Sequence, residues 1–352
     1  MTTTTQVLTL EQLVNIARRR IEVTDDELAE ARKRRTALGD ALRREFPGSR
    51  TYANGSLAHG DALTPLTDVD LGVVVPDPAR EFGPGKKGPR ELKERAANAI
   101  RRELKAEYGD LAVEVKGRKR SILVRFRDPV SPRFPDFTAD VIVAIDHPVA
   151  PGLYIPRWAS WDRSHPERHT DLVVTANKAT NAGFARVVRL MKHWSRRHEN
   201  PLCSWNIKAL ALGCIAQPTE LIPGMATWLR HAIEKLAIGE TPDPAGVSGP
   251  IKLNEPRSEV LRKLRRALES LELAIQLEIE GYHVLAHREL AGFFSDPDML
   301  AAPDPDDVLT EEARRRLSQR KEPAKQVGGP ALVTTTGSAS VRDRGEVRSW
   351  GI

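Results

Sequence analysis

Two aspartates, Asp68 and Asp70, stand two residues apart at the head of the apolar run Leu71-Gly72-Val73-Val74-Val75. Side chains alternate along a strand, so this spacing puts both carboxylates on one face. Two anions that close repel each other, and burying them costs several kcal/mol unless a cation compensates. A pair of divalent ions removes that penalty and supplies chemistry: it holds a triphosphate, polarises the α-phosphorus and lowers the pKa of an attacking hydroxyl. Upstream lies Gly55-Ser56, just after a short stretch of strand character. Glycine lets the backbone approach a phosphate, serine offers a hydroxyl, and the N–H groups that open the next turn favour an anion. Alone, Gly-Ser marks any turn; followed by Asp-x-Asp on an apolar strand it becomes specific. A third carboxylate is expected on an adjacent strand. Asp140, set among apolar residues in Phe137 to Ile145, is the candidate for metal ligand and for acceptor of the attacking hydroxyl's proton. Asp136 and Asp146 flank that strand and read as turn or end residues.

The elements that must position these groups follow from periodicity and breakers. Apolar residues at helical spacing predict one long helix over 9–46, stopped by Pro47-Gly48. Strands are expected over Arg50–Ala53, Thr67–Val75 and Asp136–Ile145, with a short turn or helix opening at Gly55-Ser56. Residues 77–90 read as a loop and Glu91–Tyr108 as an amphipathic helix. Leu111–Val115 and Ser121–Phe126 read as a hairpin around the basic turn Lys116 to Arg120. The second half is helical, with helices expected over Leu172–Arg197, Trp205–Ala216, Ala226–Ala237 and Arg257–Gly281 and a short charged one near 309–320. Composition makes 321–352 a candidate for disorder. A mixed α/β half followed by a helical half makes the cleft between them the natural binding site.

The chain has 352 residues, enough to bury a large core without covalent staples. Its 54 Lys and Arg exceed its 48 Asp and Glu by only six, and the signs are interspersed, so a solvated surface is a better account than a nucleic-acid footprint. Cys203 and Cys214 form no CxxC or Cys/His cluster, which argues against structural zinc and a disulfide scaffold. The opening MTTTTQVLTLEQL lacks a basic then apolar run, so no signal peptide is expected, and no apolar run is long enough to span a bilayer.

The segment GSLAHGDALTPLTDVDLGVVV resembles the Gly-Ser…Asp-x-Asp signature of polymerase-β-type nucleotidyltransferases. More closely it resembles the CD-NTases, bacterial relatives of cyclic GMP-AMP synthase and oligoadenylate synthetase. The resemblance continues through Phe137 to Ile145 and through NKATNAGFARVVRLMKHWSRRHENPLCSWNIKALAL. It implies an α+β fold in which a nucleotidyltransferase core, a mixed β-sheet with helices, packs on a C-terminal helical domain with the active-site cleft between them. The implied division is a catalytic core over 1–170 that includes the long N-terminal helix, a helical nucleotide-binding domain over 171–300, and a charged, flexible tail over 301–352. Asp68, Asp70 and Asp140 would bind two Mg²⁺ ions, or Mn²⁺, and Gly55 and Ser56 would cradle phosphates. Lys192 would reach the donor triphosphate, Ser204 a phosphate, and Trp205 would stack on the base, which contributes about 1–3 kcal/mol for any base. Asn177 and Lys178 would line the cleft. Two positions stand apart: Asp61 occupies a place where such loops usually carry Thr and reads as surface-facing, and His59 reads as a surface residue.

The resemblance further implies a bacterial cytoplasmic enzyme that joins NTPs into a cyclic di- or oligonucleotide messenger for anti-phage defence. A separate effector would bind the product, and the C-terminal tail offers a place for a regulatory partner. Membrane, zinc and nucleic acid are not required. The alternative is an RNA-tailing or tRNA-end-adding nucleotidyltransferase using the same carboxylates. A catalytically silent binding protein is disfavoured, because Gly55, Ser56 and all three aspartates are present.

Overall fold

In the computed structural model, which describes residues 8–77 and 79–321, the stretch expected as one long helix is two: α1 (Leu10–Arg19) and α2 (Asp25–Glu45). The apolar period runs through residues 20–24, but Thr24 and Glu27 close a reciprocal capping box that restarts the helix at Asp25. Then follow β1 (Arg50–Tyr52), α3 (Gly55–His59), β2 (Asp68–Val75), α4 (Gly88–Leu104), β3 (Ala112–Glu114), β4 (Ile122–Arg125) and β5 (Thr138–Asp146). An unanticipated hairpin, β6 (Leu153–Arg157) and β7 (Ser160–Ser164), completes the sheet. The helical half comprises α5 (Pro166–Ala179), α6 (Gly183–Arg197), α7 (Ser204–Leu212), α8 (Leu221–Ile238), α9 (Arg257–Ile279), α10 (His283–Phe294) and α11 (Pro305–Lys321). The single helix expected over Leu172–Arg197 is thus also broken. Asn181 and Ala182 take left-handed backbone conformations there, and the Thr180 hydroxyl accepts the Phe184 N–H. The expected disordered segment falls, from residue 322 onward, outside the described residues.

The sheet runs β1-β2-β5-β4-β3, with β6 and then β7 continuing from the far end of β5. β2 and β5 are parallel and all other pairs antiparallel. One face of the β2–β5 pair (Val69, Leu71, Val73 and Val75 beside Ala139, Val141, Val143 and Ile145) packs with Leu38, Leu42, Leu92, Ala96 and Ile100 of α2 and α4. A second core gathers the helical half around Trp194 and Trp228. Its contributors include Leu10, Leu13, Val14 and Ala17, so α1 belongs to the C-terminal helices although α2 belongs to the sheet. Glu11 of α1 fixes the arrangement by accepting the N–H groups of Leu221 and Ile222, both at 2.9 Å, at the start of α8.

Glu27 joins α2 to the chain entering β2. It is 2% exposed, and its carboxylate accepts the Thr24 N–H (2.8 Å), the Leu66 N–H (2.8 Å) and the Thr64 hydroxyl (2.9 Å). Burial alone would raise its pKa, but these hydrogen bonds outweigh burial and hold it below the ordinary 4.5. A depressed carboxyl pKa stabilises the fold above the unfolded-state value, and that stability is lost as pH falls. Glu27→Ala is expected to cost about 2–4 kcal/mol at neutral pH by breaking the cap and stranding two donors, read as a lower denaturation midpoint. The difference from wild type should shrink as pH falls below about 4.5.

Candidate active site

In the parallel pairing Asp70 lies opposite Asp140 and Asp68 opposite Thr138. Residues paired in register share a face, so all three carboxylates project from the side of the sheet away from α2 and α4. The valines and leucine between them fill the core on the other face, so a one-residue slip would bury the aspartates, and the pattern excludes it. Asp68 and Asp140 are exposed and Asp70 is half-buried. Ser121, the residue before β4, donates to Asp140 Oδ1 at 2.9 Å.

Gly55 and Gly72 are each required by what lies against them. Gly55 has φ +75°, and a Cβ there would strike the Asp70 carboxylate. On Gly72 a Cβ would run into the ring of its cross-strand partner Tyr52. The loop backbone therefore lies directly on the carboxylate site. Asn54 makes no side-chain cap to α3, which leaves its first turn open to the cleft.

Burial, then the charges of Asp68 and Asp140, push the Asp70 pKa up to about 6. A carboxylate set raised by its own repulsion suits divalent cations, which prefer oxygen donors. Among the described residues these groups do not converge as a closed cage, because Asp140 leans on Ser121 and Asp68 is open to solvent. The donor set fits cations that keep open positions for a ligand's own oxygens. Asp68, Asp70 and Asp140 are the residues that would hold them.

The opposite wall comes from the helical half. A cleft of about 290 Å³ is lined by Asn54, Gly55, Ser56, Asp68 and Asp70 on one side and by Lys192, Arg196, Ser204, Trp205 and Lys208 on the other. Lys192 and Arg196 lie one turn apart on α6, and Ser204 and Lys208 one turn apart on α7. The cleft thus sets carboxylates against cations, as a metal-bound triphosphate requires. Trp205 packs against His169 with ring centroids 4.4 Å apart and ring planes tilted by 37°, and His169 Nε2 lies 2.6 Å from Asp243.

Two expectations are overturned. Asp61 is not surface-facing: it is 0% exposed and ion-paired to Lys192 (2.7 Å) and Lys208 (3.0 Å). Burial would raise its pKa, yet the two ammonium groups outweigh burial and lower it. His59 is not on the surface either. It is buried, its Nδ1 accepts from Lys208 Nζ at 2.8 Å, and its Nε2 lies 3.1 Å from the Thr170 hydroxyl. Burial and the neighbouring lysines push its pKa down to about 3, so it is neutral.

Gly55, Ser56, Asp68, Asp70, Lys192, Ser204 and Trp205 all line the cleft, and Asp140 sits beside Asp70 on the next strand. Asn177 instead supports the loop from behind, donating to the His59 carbonyl at 2.9 Å. Lys178 is exposed on α5 and is not brought to the cleft. Sequence reasoning missed Lys208, although it follows Ser204 by one helical turn. It also missed Arg196, one turn after Lys192, and His169 and Thr170, for which no motif gives a signal.

Residues 37–144 match the family profile described as Nucleotidyltransferase domain. A cyclic AMP-AMP-AMP synthase from Escherichia coli (strain MS 115-1) is 28% identical over 170 residues; the match covers 45% of this chain and 46% of that protein, so under half of the relative's length. The structure is similar to that of CdnC from E. coli MS115-1, solved with ATP (TM-score 0.59, 16% identity, 82% of this chain and 98% of that one). It is also similar to that of the CD-NTase CdnG from Bradyrhizobium diazoefficiens, solved with GTP (TM-score 0.61, 15% identity, 86% of this chain and 99% of that one). Residues 37–144 are thus similar to the nucleotidyltransferase domain, the fold is that of the CD-NTase structures, and the α+β architecture expected from the sequence is the one observed. Among the described residues no helix is long and apolar enough to cross a membrane.

Gly55→Ala tests the contact between loop and carboxylate. The added methyl must displace Asp70 or the loop, so nucleotidyl transfer should fall by about 100-fold or more. Thermal stability should drop only modestly, because the loop remains anchored by the helical half. Steady-state kinetics beside a melting curve separate the two effects.

Proposed function

We propose that this nucleotidyltransferase joins NTPs into a cyclic di- or oligonucleotide, releasing pyrophosphate at each transfer. One observation carries the proposal: Asp68 and Asp70, with Asp140 beside Asp70 on the same sheet face, stand across a cleft from cationic side chains of the helical half, with Gly55 lying on the Asp70 carboxylate. Gly55 and Ser56 receive the phosphates of the donor, and Lys192 and Ser204 bind the far end of its triphosphate. Trp205, held by His169, stacks on a base without selecting it, which suits an enzyme that must accept more than one nucleotide. Asp140, exposed and open to the incoming ribose, accepts the proton of the attacking 2′- or 3′-hydroxyl. Asp68, Asp70 and Asp140 would hold two Mg²⁺ ions, which would supply charge neutralisation and Lewis acidity at the α-phosphate. A second transfer within the linear intermediate closes the ring.

This reading is supported by the likeness to a cyclic AMP-AMP-AMP synthase and to structures solved with ATP and GTP. The biological setting proposed with it is a bacterial cytoplasmic anti-phage (CBASS) pathway in which a separate effector binds the product, with the C-terminal tail available to a regulatory partner.

Incubation with all four NTPs and Mg²⁺ or Mn²⁺, phosphatase digestion and mass spectrometry test the proposal. A phosphatase-resistant species with the mass of a cyclic di- or trinucleotide is expected, and Asp68→Ala and Asp70→Ala should each abolish it while leaving the melting temperature near wild type. Product that forms only with added RNA, and extends that RNA, would overturn cyclisation in favour of a tailing enzyme. Retained turnover in both variants would overturn the carboxylate assignment.

A further inference from the structure

The cluster beneath the cleft holds more charge than its own members balance. Lys192 and Lys208 have side chains 3% and 5% exposed, and Asp61 is the single carboxylate within ion-pairing distance of either among the described residues. One anion thus faces two cations. His59 does not make up the difference. Its Nδ1 accepts from Lys208, which places its proton on Nε2 to donate to the Thr170 hydroxyl; that hydroxyl donates in turn to the Ala53 carbonyl at 2.7 Å. The chain Lys208, His59, Thr170, Ala53 runs in one donor direction and leaves His59 neutral.

The donor arithmetic gives the remaining charge a direction. An ammonium has three N–H groups. Lys192 commits two to Asp61, one to Oδ1 (2.7 Å) and one to the backbone carbonyl (2.8 Å). Lys208 aims one at His59 Nδ1 and lies 3.0 Å from Asp61 Oδ2. Both side chains line the cleft beside Ser204 and the exposed Arg196, so the N–H groups they leave uncommitted are available to a ligand there. Two fixed cationic donors with an excess positive charge suit an anion bearing several oxygens.

We propose that Asp61 is a positioning residue that fixes Lys192 and Lys208 as a rigid pair of cationic donors, and that Lys208 is itself a triphosphate contact. The inference rests on the NTP-joining reading above and extends it. Asp61 touches no substrate; it sets where the two ammonium groups stand and lets them stand side by side. Without it two like charges would share a buried site, and the lysines would separate or shed a proton.

The test compares binding of α,β-methylene-ATP with Mg²⁺, and of AMP, to wild type, Asp61→Asn, Lys208→Met and the Asp61→Asn/Lys208→Met double variant, with melting curves throughout. Lys208→Met leaves Asp61 and Lys192 in one-to-one balance and should fold as wild type. It and Asp61→Asn should each bind the triphosphate analogue about tenfold or more weakly, with AMP affinity changed less than about threefold. Wild-type triphosphate affinity in Lys208→Met would overturn the assignment of Lys208. Wild-type affinity in a folded Asp61→Asn protein would overturn that of Asp61, leaving it a structural counter-ion only. If Asp61→Asn does not fold, the double variant decides: binding weaker than Lys208→Met alone supports positioning of Lys192, and equal binding refutes it. Wild-type protein that binds no triphosphate would instead bring down the functional reading itself.

Discussion

At the two ends of the segment 53–62 the carbonyls on either side of α3 find their partners in side chains, and that need organises the molecule. Buried carbonyls must be paired. Here they are paired by side chains from the other half of the protein. Thr170 donates to the Ala53 carbonyl, Asn177 to that of His59, and Arg189 to those of Gly60 (2.6 Å) and Ala62 (3.1 Å), while Lys192 serves Asp61. The segment that carries Gly55 and Ser56 is therefore held by α5 and α6 as firmly as by its own sheet. The separation between the carboxylate wall and the cationic wall is a by-product of satisfying those carbonyls.

Against that well-satisfied frame, the carboxylates are the part left in tension. Asp70 is squeezed between Gly55 and two like charges, and its raised pKa expresses the cost of holding it there without a counter-ion. The sheet tolerates this because its other face is densely apolar and the β2–β5 register cannot shift without burying charge. One face of the sheet is all core, while the other carries the chemistry at one end and, beyond Gly72 beneath Tyr52, a smaller apolar cluster of Val74, Ala144, Leu153 and Ile155. Such division is the usual way a fold accommodates a locally unfavourable site.

What the sequence made legible was what depends on near neighbours. Asp68 and Asp70 on one face, the Gly55-Ser56 turn, and Asp140 within an apolar strand all follow from period two and from breakers, and the structure brings them together. The buried roles of Asp61 and His59 were hidden because their partners are distant in the chain: Lys192 is 131 residues from Asp61, and Lys208 is 149 from His59. A charged residue beside a glycine carries no local mark of whether two lysines will close over it. The break after α1 was written locally, in Thr24-x-x-Glu27, but the apolar period continues across it and masks the cap. The break before α6 had no such mark, since Asn181 and Ala182 adopt their conformation only in context. The hairpin β6–β7 escaped because its strands are short, include Pro156 and alternate weakly.

The membership of α1 in the C-terminal core has a consequence for how the chain comes into being. Leu10, Leu13, Val14 and Ala17 emerge from the ribosome more than 200 residues before α8, α9 and α10, with which they pack. Throughout synthesis of the sheet, this amphipathic helix has no apolar surface of its own to cover. The nascent protein must carry an exposed greasy stripe until those later helices have been made, a natural handle for a chaperone. The helical half can finish folding only when α1 meets them.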